Sequence, residues 1–248
     1  MSPQPTEAPT AACFVERLGA LRSPAELEKY KRYFKTGPGD YGEGDAFMGV
    51  RMGQVFELAR EFADMEPAEI EALLEDRFHE PRAGAVRIMA TQARGKRTPE
   101  ERRQELYELY LRRHDRIDNW DLVDLGAWDV VGRWLVDRPR DVLYELARSS
   151  NMWERRTAIL ATIAFIRNGE VDDTLRIADM LVGDDQDLIH KATGWALRAA
   201  GDADIGRVRG FLDHHAATMP RTALRYALEH FDEQERAHYM DLRKVARR

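Results

Sequence analysis

Trp120, Asp121 and Asp124 fall within one heptapeptide, Asp118-Asn119-Trp120-Asp121-Leu122-Val123-Asp124. Spaced four apart, Trp120 and Asp124 share one face of a helix. A carboxylate fixed in a poorly solvated place stabilises positive charge that develops beside it, and an indole face attracts cations through its quadrupole. Trp195 stands four residues after Lys191, so a second indole and a lysine share a face of their own helix. Core packing is the ordinary role for a tryptophan, and Trp128, Trp134 and Trp153 are read that way. Other motifs carry less chemistry. Gly37-Pro38-Gly39-Asp40-Tyr41-Gly42 matches G-x-G-x-x-G, but it follows a helical segment instead of a strand and contains a proline, so it reads as a turn-rich loop. His79-Glu80 lacks the second histidine of a zinc helix and His214-His215 has no spaced ligand set, so no metal or cofactor is expected.

The elements that must position these residues are helices. The chain has 248 residues, 44% hydrophobic and 33% charged, a balance that supports a substantial core. No apolar run approaches the roughly 18 residues of a membrane span, and a single cysteine, Cys13, excludes a disulfide framework and fits a reducing cytoplasm. Residues 1–12 read as a loose tail ahead of one domain over 13–244. Pro24, Pro67, Pro81, Pro99, Pro139 and Pro220 each precede an amphipathic segment, as proline does at the first helical position. Ser23 is placed to cap the helix opened by Pro24, and Thr98 with Glu101 has the spacing of a capping box. Ile159, Ile163 and Ile166 recur at helical spacing, and no segment alternates apolar and polar residues like a strand. The predicted class is all-α with short loops.

A weak repeat overlies that pattern. Arg82, Arg156, Lys191 and Arg221 are each followed by small or apolar residues, with Asn119 as an odd fifth member, at intervals of about 30 to 37 residues. That period is one helical hairpin, close to a HEAT unit, and such units stack into a curved α-solenoid whose inner helices line a concave surface. Charge separates along it. From His79 to Arg97 the chain carries Arg82, Arg87, Arg94, Lys96 and Arg97 against Glu80 alone, while acids concentrate in stretches such as Glu66 to Asp76. A basic concave groove inside a protein of net charge −6 is therefore expected, and a basic groove can track a phosphate backbone. Asp118, Asp121, Asp124 and Asp129 stand where the other repeats are basic.

The heptapeptide resembles the catalytic helix of the bacterial DNA alkylation repair glycosylases of the AlkD family. Trp153-Glu154-Arg155-Arg156-Thr157-Ala158-Ile159, Lys191-Ala192-Thr193-Gly194-Trp195 and Tyr33-Phe34-Lys35-Thr36-Gly37 are similar to the same family, and the likeness runs from about Tyr30 to Arg225. The resemblance implies a HEAT-like solenoid that grips duplex DNA and hydrolyses the N-glycosidic bond of cationic alkylpurines such as N3-methyladenine and N7-methylguanine. It assigns Asp124 as the catalytic carboxylate, Trp120 and Trp195 as flanks of the lesion's sugar, Arg156 to the backbone near the lesion, and Tyr33 to the same groove. Lys35, Arg82, Arg87, Lys191, Arg198, Arg221 and Arg225 are the expected phosphate contacts.

The chemistry suits those residue types. An alkylated purine already carries positive charge and leaves readily, so the need is to stabilise the oxocarbenium-like sugar, which a fixed carboxylate between indole faces does. With no lysine in the Asp124 motif, strand cleavage is not expected, and the enzyme is monofunctional. The family's non-catalytic relatives, which bind distorted or branched DNA, supply the alternative, and a protein-interaction solenoid is a more distant one. Filled Trp, Asp, Arg and Trp positions favour catalysis. The expected protein is a cytoplasmic monomer, nucleoid-associated when bound to double-stranded DNA carrying alkylated purines, and in contact with no membrane.

Overall fold

The computed structural model describes residues 9–245. Among them the regular elements are helical, and the β-type contact is an isolated parallel bridge between Ala46 and Phe78. The all-α, helical-repeat class read from the sequence is what the chain adopts. No helix among the described residues is long and apolar enough to cross a membrane. The helices group into two compact units, Met1–Gly126 and Ala127–Arg248, where the sequence reads as one domain over 13–244.

The first helix, α1 (Ala11–Gly19), begins inside the stretch read as tail, because Thr10 caps it through a bond from the Cys13 N–H and Phe14 and Leu18 give it a buried face. Residues 1–8 of that tail lie outside the described residues. Ser23 caps α2 (Pro24–Tyr33) as its position predicts, accepting from the Glu26 N–H at 3.4 Å. The capping box at Thr98 does not form. Its hydroxyl turns back to donate to the Gln92 carbonyl at 2.6 Å, and α6 (Glu100–Arg112) starts after Pro99 without a side-chain cap. Pro24 and Pro67 open α2 and α4 (Pro67–Leu74), whereas Pro81 lies inside the first turn of α5 (His79–Arg94), where a missing N–H is equally harmless.

In the first unit α5 is the central element. Its apolar residues run all round it, with Val86, Ile88, Met89 and Ala90 buried, as they must be in a helix enclosed on every side. Phe14 of α1 lies against Gly84, and α3 (Met52–Glu61) and α4 flank it. The short α7 (Trp120–Gly126) runs parallel to α5, since His79 meets Asp121 at one end and Val86 meets Gly126 at the other. A Cβ on Gly126 would lie 2.6 Å from the Tyr110 ring, so glycine there is a condition of the helix contact.

In the second unit a π-helical segment, Ala127–Gly132, precedes α8 (Asp141–Ala147), α9 (Met152–Ala161), α10 (Ile163–Ile166), α11 (Asp172–Leu181), α12 (Asp187–Ala203), α13 (Ile205–His215), α14 (Arg221–Ala227) and α15 (Glu233–Val245). Successive inner helices touch backbone to backbone. A Cβ on Gly194 of α12 would stand 2.5 Å from the Ala223 carbonyl oxygen of α14. Arg156 of α9, buried, donates to the Leu188 carbonyl of α12 at 2.6 Å.

Candidate active site on helix α7

Helix α7 has one apolar side, Leu122, Val123 and Gly126, that faces the unit's core. The other side carries Trp120 and, one turn on, Asp124; both are half-buried. What holds that side is a set of polar contacts beneath its first turn. Asn119 is fully buried, and its Nδ2 donates to Asp45 Oδ2 at 2.6 Å while its Oδ1 accepts the Trp120 N–H at 2.8 Å. The other Asp45 oxygen accepts from Arg82 Nη2 at 2.8 Å, and Arg82 Nη1 pairs with Asp118 and reaches the Arg116 carbonyl. A second ion pair joins the same two helices. His79, at the start of α5 and fully buried, lies 2.7 Å through Nε2 from Asp121 Oδ2. Burial alone disfavours the imidazolium, but the Asp121 carboxylate outweighs that cost and holds the His79 pKa above the ordinary histidine value.

The loop after α2 supplies the aromatic half. Phe34, buried, stacks under Trp120 with ring centres 5.8 Å apart, and Tyr33, 63% exposed, meets the indole edge-on at the same distance. The indole Nε1–H donates to the Tyr41 hydroxyl at 3.2 Å. Phe34 and Phe47 also enclose the His79 ring, at 4.9 and 5.1 Å. The loop keeps this shape because Glu80, fully buried, accepts three backbone N–H bonds from Met48, Gly49 and Val50 at 2.7 to 3.1 Å. Gly49 adopts φ 81°, and a side chain there would strike the Ser23 carbonyl. Tyr30 closes the far side by donating to the Val50 carbonyl at 2.7 Å; burial first and then the Glu80 charge push its pKa to about 12, so it stays a donor.

The residues expected at the site are thus placed unequally. Trp120, Asp124 and Tyr33 share one corner of the first unit, with Lys35 on the exposed loop beside it at φ 50°. Arg82, expected to contact phosphate, is 3% exposed and committed to Asp45 and Asp118 instead. Arg87 lies over the Phe56 ring at 5.0 Å. Trp195, Arg156, Lys191, Arg198, Arg221 and Arg225 belong to the second unit. There Trp195 is half-buried next to Gly194, Lys191 pairs with Asp187 at 2.6 Å, Arg198 pairs with Glu229, and Arg221 donates to the Met240 carbonyl at 3.1 Å, while Arg225 is exposed.

Sequence reasoning misses His79, Asp45, Tyr41 and Glu80. In the sequence His79 reads only as half of a zinc helix, and Tyr41 sits inside a glycine motif that reads as a loop. The excess of acid in the heptapeptide has a local cause: Asp118 answers Arg82 and Asp121 answers His79. Asp129, in the second unit, pairs with Arg133 at 2.8 Å. Among the described residues no three His, Cys, Asp or Glu side chains are grouped to hold a metal ion.

No curated protein sequence matches the chain. Among solved structures, a predicted DNA alkylation repair enzyme from Enterococcus faecalis is similar in fold, with a TM-score of 0.66 over 86% of this chain and 97% of that one, at 17% sequence identity. The sequence profile of the DNA alkylation repair enzyme family matches residues 14–231. That span takes in α7, the loop beneath it and the inner helices of the second unit, and on it the chain belongs to the family of DNA alkylation repair enzymes.

Proposed function

We propose that this chain is a monofunctional DNA glycosylase of the AlkD type, hydrolysing the N-glycosidic bond of cationic alkylpurines in duplex DNA. The observation that carries the reading is the support built under one turn of α7: two buried ion pairs and a stacked ring fix an indole beside a carboxylate, in a chain whose family acts in alkylation repair. An indole held at both its face and its Nε1–H cannot turn away when a charged nucleoside arrives.

In this reading the N7- or N3-alkylated purine leaves with the electron pair of its glycosidic bond and departs neutral. Positive charge passes to the deoxyribose. Asp124 stabilises that charge and takes a proton from the water that adds to the anomeric carbon, a contribution of order 10²–10⁴ for a positioned base. Trp120 gives the sugar cation a π face. The exposed cations Lys35, Arg221 and Arg225, with Lys191, Arg87 and Arg198, serve the DNA backbone, while Arg82 and Arg156, both buried, act on DNA only through the helices they hold.

The test is release of N7-methylguanine and N3-methyladenine from methylated duplex by the full chain. Wild type releases free base without nicking the strand, and Asp124→Asn lowers the single-turnover rate by at least about a hundredfold with little change in DNA affinity. Excision that survives the substitution defeats the mechanism. Tight binding without release by wild type points to the non-catalytic alternative.

A further inference from the structure

Two arginines of the first unit converge on one ring. Arg22, in the turn after α1, and Arg77, just before α5, hold their guanidinium carbons 5.1 and 4.4 Å from the centre of Phe78. Both are exposed, and among the described residues neither makes a hydrogen bond or an ion pair. Elsewhere in the unit arginines meet carboxylates, as in Arg17–Glu61 at 2.6 Å, Arg51–Glu26 at 3.2 Å and Arg112–Glu71 at 2.9 Å. The nearby acid, Asp76, directs Oδ1 to the Phe78 N–H at 2.8 Å. Two positive charges are thus held at one ring without a carboxylate paired to either, a setting that favours an anion beside them.

We propose that Arg22, Phe78 and Arg77 form a phosphodiester-binding notch for the nucleic-acid backbone. This assignment rests on the DNA reading above and extends it to residues outside the α7 corner. The guanidinium fork matches two phosphate oxygens, and stacking on Phe78 holds each fork extended before the ligand arrives, so less side-chain freedom is lost on binding. The positive end of the long α5 dipole adds to the same potential. Location agrees. Phe78 adjoins His79, whose ring contacts Phe34, and Phe34 carries Trp120, so notch and indole lie at the same end of the parallel pair α5 and α7.

The experiment is the salt dependence of binding of the full chain to an unmodified duplex, for wild type and the double variant Arg22→Gln/Arg77→Gln. Arg112→Gln, which removes an arginine already paired, is the control. Each phosphate that the protein no longer neutralises lowers the slope of log K against log salt by about 1, so the double variant, which loses the one phosphate of the notch, falls by roughly 1 while the control keeps the wild-type slope. A merely structural role for the two arginines leaves the slope unchanged and lowers the melting temperature instead. An unchanged slope with wild-type binding intact overturns the notch alone. Wild-type binding that is absent or indifferent to salt overturns the DNA reading, and the notch with it. Inorganic phosphate separates the sources: if it shifts the arginine side-chain NMR signals while the double variant keeps the wild-type slope, the notch takes free anions and the backbone assignment is wrong.

Discussion

The two units hold their tryptophans by different physics. Under Trp120 the first unit gathers charge and rings: Arg82 between Asp45 and Asp118, His79 against Asp121, and Phe34 stacked on the indole. Beside Trp195 the second unit uses backbone proximity, with Gly194 pressed on α14 so tightly that even a methyl group would overlap it. The difference follows from what surrounds each helix. Helix α7 is seven residues long and enters from a loop, so its start is fixed by side chains that reach it from α5 and from that loop. Helix α12 is seventeen residues long and fixes its own direction, so the neighbouring helix need only be close.

The widest gap between the two modes is at Arg82. Replacing it with methionine keeps the volume and strands Asp45 and Asp118, the first with a side chain only 10% exposed. Breaking a buried pair from one side costs about 3–5 kcal/mol, so Arg82→Met lowers unfolding stability by that amount in urea or guanidinium titration and loosens Trp120 with it. A loss below about 1 kcal/mol, on the scale of a surface pair, shows that the charged cluster is not what holds α7.

Gly194→Ala probes the other mode. Its Cβ meets the Ala223 carbonyl oxygen and Tyr226 Cβ, both at 2.5 Å, and neither is the free end of a side chain. Overpacking of this kind costs about 1–3 kcal/mol. Gly210→Ala in α13, where nothing lies within 4 Å of the new methyl, instead gains a few tenths to about 1 kcal/mol from helix propensity. Equal effects at the two glycines remove the distinction between a helix held by contact and one that is not.

How far the sequence foretells this depends on whether a residue's partner is near it in the chain. The helices are legible because periodicity, proline starts and the Ser23 cap are local. Failure at Thr98 is local too, since a competing carbonyl six residues back takes the hydroxyl. The pair Trp120 and Asp124 is legible from helical spacing. Its support is not: Asn119 meets Asp45 across 74 residues, and His79 meets Asp121 across 42. For the same reason a repeat of basic residues reads as a phosphate-binding face, although Arg82 and Arg156, its most regular members, are buried and join one helix to the next.

His79 gives the first unit a pH dependence that backbone packing does not. Its folded pKa is above the ordinary value, so the bond to Asp121 contributes stability in full below about pH 6.5, and that contribution is lost as pH rises through the folded value. Asp121 on α7, Arg82 on α5 and Asp45 in the loop are the charged groups that act on it. Melting temperature therefore falls as pH rises from about 6 toward 9, and His79→Gln flattens the slope. A wild-type profile already flat over that interval shows that the imidazole carries no proton in the native state.

The smallest effect belongs to the residue that shares Arg82's place in the repeat. Lys191 follows the same pattern of a base ahead of small residues, yet its side chain is 41% exposed and its pair with Asp187 is a surface contact between residues four apart on one helix. Lys191 draws the Asp187 carboxyl below the usual aspartate range, but solvent screens the pair and both side chains keep water when it breaks. Lys191→Met therefore costs about 0.5 kcal/mol or less in the titration where Arg82→Met costs several. The same substitution removes a cation from the Trp195 face, so its larger consequence is in DNA affinity, read as a decrease of about 1 in the salt slope. A stability loss matching that of Arg82→Met means that position in the repeat, and not burial, decides what a basic residue does in this fold.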